Sequence, residues 1–148
     1  MRARYLLPIL TFAMIMLIWG HSLMPGEVSA SESGFLTELL TGLFHITGSN
    51  TEHTIRKCAH FFEYMILGIL FSADSVLFTG RRACAASVFS GLAVAQTDET
   101  IQLFVADRGG SLLDVWLDYS GYVTGIVFFG VIYGIVHSRK GIKKGSNK

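Results

Sequence analysis

The sequence predicts an all-helical membrane protein, a four-helix transmembrane bundle with a short amphipathic interfacial helix between spans 1 and 2. Three observations predict it. Hydrophobic residues make up 51% of the 148 positions and charged residues only 16%, with a mean hydropathy of +0.48, a composition suited to lipid rather than water. Four mostly apolar runs, at about 5–22, 55–78, 83–104 and 113–137, approach the roughly 20 residues needed to cross a bilayer. The connections alternate in charge, basic residues gathering before the first run, between the second and third, and in the tail 138–148. The length allows a single domain over 1–148.

The first span follows Arg2 and Arg4, runs without charge from Tyr5 to Trp19, and ends at His21 and Ser22 before Pro25-Gly26. The same pattern, with Val28-Ser29-Ala30 beyond it, also fits a cleavable signal peptide; retention is favoured because the run with its flanks is long enough to span. From Glu27 to His53 the chain turns to Ser, Thr, Gly and Glu, with Phe35, Leu36, Leu39, Leu40, Leu43 and Phe44 at helical spacing. Ser33 as N-cap and Gly48 as stop predict a short helix on the outer interface or packed as a lid.

The second span opens with a polar stripe. At 100° per residue, Arg56, Lys57, His60, Glu63 and Tyr64 occupy about a third of the helix circumference, and Leu67 and Gly68 continue that face deeper. Arg81 and Arg82 turn the chain into the third span, whose first half is crowded with Ala, Ser and Gly suited to close packing. Its last two turns present Asp98, Glu99 and Gln102 on one side.

After the turn Ala106-Asp107-Arg108-Gly109-Gly110, Ser111 is the expected N-cap of the fourth span, with Asp114 at the third helical position in a capping-box pattern. Asp114, Asp118, Gly121 and Gly125 share a face, and the GxxxG of the last two admits a neighbouring backbone. The span ends near His137, followed by a basic, frayed tail. By the positive-inside rule both termini are cytoplasmic, and the polar stripes of spans two, three and four then meet at the extracytoplasmic end. Cys58 and Cys84 fall on opposite sides of the bilayer, which argues against a disulfide.

A charged side chain at mid-bilayer costs roughly 2.5 to 3.5 kcal/mol, so a cluster of them needs compensation. The candidate site residues are Arg56, Lys57, His60, Glu63, Tyr64, Asp98, Glu99, Gln102, Arg108, Ser111, Asp114 and Asp118. The plain reading is buried ion pairs that set helix register. A binding reading has Arg56, Lys57 and Arg108 holding phosphate, while the carboxylates take amine or sugar hydroxyl groups of an anionic or zwitterionic amphiphile. A catalytic reading uses a carboxylate or His60 as acid or base on a lipid-linked substrate. A divalent cation among Asp98, Glu99, Asp114, Asp118 and His60 is a further variant, but the spacing matches no zinc signature and the expectation is no metal and no cofactor. No phosphate loop, nucleophile motif, heme signature or nucleotide fingerprint is present, and no nucleic-acid partner is expected. His45, His53 and His137 are expected to be solvated or interfacial. Asp74 is expected near the inner surface.

Taken together, Arg56-Lys57-x-x-His60-x-x-Glu63-Tyr64, Asp98-Glu99-x-x-Gln102 and Arg108-Gly109-x-Ser111-x-x-Asp114-Val115, followed by Asp118 and Gly121, resemble the VanZ-like family of small bacterial membrane proteins, as does His21-Ser22-Leu23-Met24-Pro25 at the end of the first span. The resemblance covers nearly the whole chain. It implies a four-span protein of the bacterial plasma membrane and, through the family's namesake, an association with resistance to the glycopeptide teicoplanin. It implies a phenotype and no reaction. The chain departs from the family pattern where Ala106-Asp107 stands in place of Pro-Gly before the arginine, which predicts a local pair between Asp107 and Arg108.

Overall fold

A computed structural model of the protein describes residues 3–25, 51–80, 85–106 and 108–145. They form four helices, α1 (Ala3–Ser22), α2 (Thr51–Thr79), α3 (Ala85–Gln102) and α4 (Leu112–Gly145), and no strand occurs among the described residues. Residues 27–50 of the expected interfacial segment, the Arg81-Arg82 turn, Cys84 and Asp107 lie outside them. Cys58 is an exposed free thiol.

The segments Tyr5–Ser22, Thr54–Thr79 and Leu112–Ser138 are long and apolar enough to cross a membrane. The third expected span is shorter than its predicted bounds of 83–104 and is not among them. Its first half draws little hydrophobic weight from Ala, Ser and Gly, and its last turns carry Asp98, Glu99, Thr100 and Gln102. Beyond Gln102 the chain tightens into a turn, with Phe104 N–H bonded to Ile101 O at 3.0 Å and Val105 N–H to Gln102 O at 3.2 Å. One further boundary moves: helix α2 starts at Thr51, so His53 belongs to its first turn rather than to a loop. The fourth apolar segment closes at Ser138, in keeping with the expected end near His137, and the helix continues through Gly145 where a frayed tail is expected.

The core is thin and lies along the bundle axis. Ile18, Tyr64, Leu67, Val94, Ala95, Val115 and Tyr122 are buried, while Ile9, Phe12, Phe62, Phe89, Val127 and Phe128 face outward. Such an apolar outer surface is stable against lipid and not against water.

Helices α2 and α4 share the most extensive interface, and glycines make it possible. A Cβ at Gly68 would strike the Tyr122 carbonyl, one at Gly121 the Phe61 carbonyl, and one at Gly125 the Met65 carbonyl. The predicted GxxxG contact is therefore present, with a third glycine contributed by α2. Helix α3 is held to α4 by a side chain instead: the Tyr122 ring seats on Gly91 and its hydroxyl donates to Ser87 O at 2.5 Å. Toward the other end Thr11 on α1 donates to Asp74 Oδ2 on α2 at 2.6 Å, while Asp74 Oδ1 is buried without a partner.

Candidate functional site

Four helix ends meet at one end of the bundle, and each polar stripe read from the sequence arrives there. The C-terminal end of α1 brings His21 and Ser22, the N-terminal half of α2 brings Arg56 to Tyr64, the C-terminal turns of α3 bring Asp98, Glu99 and Gln102, and the start of α4 brings Ser111, Asp114 and Asp118. Between them lies a cavity of about 220 Å³ lined by Arg56, Lys57, His60, Glu99, Gln102, Arg108, Gly109, Asp114, Leu117 and Asp118.

Specific bonds join the four ends. Lys57 Nζ lies 2.5 Å from Asp114 Oδ1, tying α2 to α4. Glu63 Oε1 is 2.9 Å from His21 Nδ1, tying α2 to α1, and Glu63 Oε2 lies 3.7 Å from His60 Nδ1. Gln102 Nε2 sits between α1 and its own helix, 3.3 Å from Ser22 Oγ and 3.4 Å from Asp98 Oδ2. Ser22 is fully buried, so this small hydroxyl is a structural peg rather than an interfacial end.

The expected capping box closes in a different way. Asp114 does not reach back to the Ser111 amide; that N–H is taken by Glu99 Oε2 of α3 at 2.7 Å. The N-cap position itself holds, with Asp114 and Val115 N–H bonded to Ser111 O at 3.0 and 3.2 Å. A carboxylate at a helix N-terminus is favoured by the orphan amides and the macrodipole, and here it comes from a neighbouring helix. Glu99 and Asp114 thus divide roles that local sequence assigns to Asp114 alone.

The cations divide as well. Lys57 is committed to Asp114, whereas neither Arg56 nor Arg108 has a carboxylate within ion-pair distance among the described residues. Arg108 Nε is buried with no hydrogen-bond partner. Burial, and then repulsion from Arg56, hold the Arg108 guanidinium below its ordinary pKa, with Asp98 and Glu99 opposing. A cavity edge that sets two guanidinium groups against each other attracts an anion.

Deeper in, Tyr64 and Asp98 are completely buried and Asp118 nearly so. The Tyr64 hydroxyl and Asp98 Oδ1 have no hydrogen-bond partner. All twelve candidate residues therefore sit at this end of the bundle: eight line the cavity, while Glu63, Tyr64, Asp98 and Ser111 lie behind or beside it. The sequence shows His21 and Ser22 as the motif that closes the first span but does not place them among the site residues; that motif was the available signal.

A family model described as VanZ/LLP1 matches residues 7–133. Comparison with curated proteins and with solved structures returns no match.

Proposed function

For a chain that belongs to the VanZ/LLP1 family, we propose that the cavity receives the anionic head group of an amphiphilic cell-envelope molecule and that this binding modifies sensitivity to teicoplanin-type glycopeptides. The observation that carries the reading is the pair Arg56 and Arg108, both on one cavity and both without a carboxylate partner among the described residues. Arginine forks suit phosphate oxygens, and a desolvated pair binds them more strongly than surface lysines do. Lys57 contributes less than the sequence suggests, because Asp114 already neutralises it. A volume of about 220 Å³ favours a phosphate-bearing head group over an entire lipoglycopeptide, with the acyl part left to the lipid-facing surface.

The reading includes a topology. Four spans, α3 being the shortest, place both termini in the cytoplasm and the cavity at the outer leaflet of the bacterial plasma membrane, as the distribution of Arg and Lys in the connections supports. The environment is then one in which envelope lipids present phosphate at the depth of the helix ends.

The test is lipid binding by delipidated protein in detergent, with a chelator present, followed by native mass spectrometry. Phosphatidic acid is expected to bind in preference to phosphatidylcholine, and the double variant Arg56→Gln/Arg108→Gln to lose that preference by tenfold or more with unchanged helicity. Equal binding of the two lipids, or an unaltered double variant, would discard the reading. In cells, the same double variant is expected to lose any protection against teicoplanin at normal membrane abundance.

A second reading, acid–base chemistry on the same lipid-linked head group, draws on the unpartnered buried Asp98 Oδ1 and Tyr64 hydroxyl behind the cavity. It separates from simple binding by turnover: labelled envelope lipids incubated with the protein would give a product. An accessory role within an envelope synthase would show instead as co-purification that survives loss of the arginines.

A further inference from the structure

One residue from each of three helices converges at the cavity wall, with His60 and Asp118 on the lining and Asp98 behind it. Ligand-capable atoms of His60 on α2, Asp98 on α3 and Asp118 on α4 all lie within 4.8 Å of one another. The two carboxylates are almost wholly withdrawn from solvent, at 0% and 3% exposed, and no Lys or Arg pairs with either among the described residues. Carboxylates so placed repel each other unless one of them holds a proton or a positive centre stands between them. Asp98 Oδ1 is buried with no partner, while Gln102 reaches its other oxygen at 3.4 Å and the Ser22 hydroxyl also lies within reach of the carboxyl. Tyr64, a separate fully buried side chain, also has an unpartnered hydroxyl.

We propose that His60, Asp98 and Asp118 form a binding site for a divalent first-row cation of the manganese or zinc type. A metal about 2.0–2.2 Å from each ligand holds neighbouring ligands roughly 3–4.2 Å apart, so small side-chain rotations complete the set. An imidazole among the ligands selects against calcium and magnesium, which take oxygen donors, and suits zinc or manganese. On its other side, His60 Nδ1 lies 3.7 Å from Glu63 Oε2, outside hydrogen-bond distance and with neither atom otherwise partnered, while Glu63 is anchored by His21 at 2.9 Å; a small shift would give the carboxylate support that orients metal-binding histidines. Because His60 and Asp118 also line the cavity, the remaining coordination positions open toward it, where water or a phosphate oxygen can enter. The sequence alone allows a divalent cation among Asp98, Glu99, Asp114, Asp118 and His60 but matches no zinc spacing; the fold narrows those five to His60, Asp98 and Asp118, one from each helix. It goes beyond the head-group reading, in which Arg56 and Arg108 carry the affinity.

The experiment uses the full chain in detergent, stripped with chelator and titrated with Mn²⁺ alone, free of phosphate and added lipid, with the free-ion EPR signal as readout. One Mn²⁺ per chain is expected, with ¹⁴N modulation from a bound imidazole in the pulsed spectrum. Asp98→Asn and Asp118→Asn are expected to weaken binding tenfold or more, and His60→Gln to remove the ¹⁴N modulation. Arg56→Gln/Arg108→Gln is expected to bind Mn²⁺ at least as tightly as the wild type, which separates this site from the anion reading. Binding no greater than the detergent blank, or bound Mn²⁺ without ¹⁴N modulation in the wild type, overturns the proposal. Should the asparagine variants fail to accumulate, the wild-type spectrum decides in the same two directions.

Discussion

Glu99 on α3 accepts the backbone N–H of Ser111 at the start of α4, with Oε2 at 2.7 Å from the nitrogen. The bond spans the turn that carries Arg108, so one carboxylate both caps a helix and holds the arginine's loop in place. Glu99→Ala leaves that amide without its acceptor at a part-buried site, a loss of about 1 kcal/mol. Hydrogen exchange at Ser111 to Val115 should accelerate correspondingly. Glu99→Gln keeps an acceptor and should lie between the two; equal exchange in all three proteins would show that the cap carries no energy.

Lys57 and Asp114 form a half-exposed pair across α2 and α4. Pairs of this kind contribute on the order of 1 kcal/mol or less. In a double-mutant cycle of Lys57→Met and Asp114→Asn, unfolding free energies are therefore expected to be sub-additive by about that amount. A coupling indistinguishable from zero would mean that the two residues act independently, and Lys57 would return to the set of anion ligands.

Glycine substitutions distinguish contact from propensity. At Gly121 and Gly125 a methyl group would meet the carbonyls of Phe61 and Met65, whereas at Gly130 it meets nothing within 4 Å. Gly121→Ala and Gly125→Ala are each expected to destabilise by about 1–3 kcal/mol through forced separation of the helices. Gly130→Ala is expected to be neutral or slightly stabilising, by up to about 1 kcal/mol through helix propensity. Thermal unfolding in detergent measures all three, and a destabilised Gly130→Ala with an unaffected Gly121→Ala would contradict the packing described.

Orientation can be read with impermeant maleimide. In a protein with Cys58 and Cys84 replaced by Ser, Gly109→Cys at the cavity turn should label on intact cells, because Gly109 is exposed and its Cβ position is open. His137→Cys should label only after permeabilisation. The reverse pattern would put the cavity in the cytosol and remove the envelope-lipid reading with it.

The polar face of α2 was legible because helical geometry alone gathers Arg56, Lys57, His60, Glu63 and Tyr64, and the α2–α4 contact because GxxxG has a narrow physical meaning. The partners were not legible. Whether Asp114 meets Lys57 or its own N-cap depends on the rotation and offset of α4 against α2 and α3, and those follow from the seating of Gly121, Gly125 and Tyr122 rather than from spacing. His21 and Ser22, although part of the motif that carries the family resemblance, were not placed in the site because two polar residues closing an apolar span usually mark only an interface. Their partners Glu63 and Gln102 lie 42 and 80 positions away, beyond any local pattern. The length of α3 was overestimated because Leu103 and Phe104 extend the apolar run without extending the helix.

The glycine contacts between α2 and α4 imply a division of mobility. Where two rods touch main chain to main chain, their spacing is indifferent to rotamer changes and to substitutions on the lipid side, so Lys57, His60, Asp114 and Asp118 ride on a fixed gauge. Helix α3 meets that pair through side chains, the ring and hydroxyl of Tyr122 and the Glu99 cap on the Ser111 amide. A shift in bilayer thickness or lateral pressure would therefore act first on α3, moving Asp98 against an otherwise stationary wall and loading the Glu99 cap, which makes the shortest helix the adjustable jaw of the cavity.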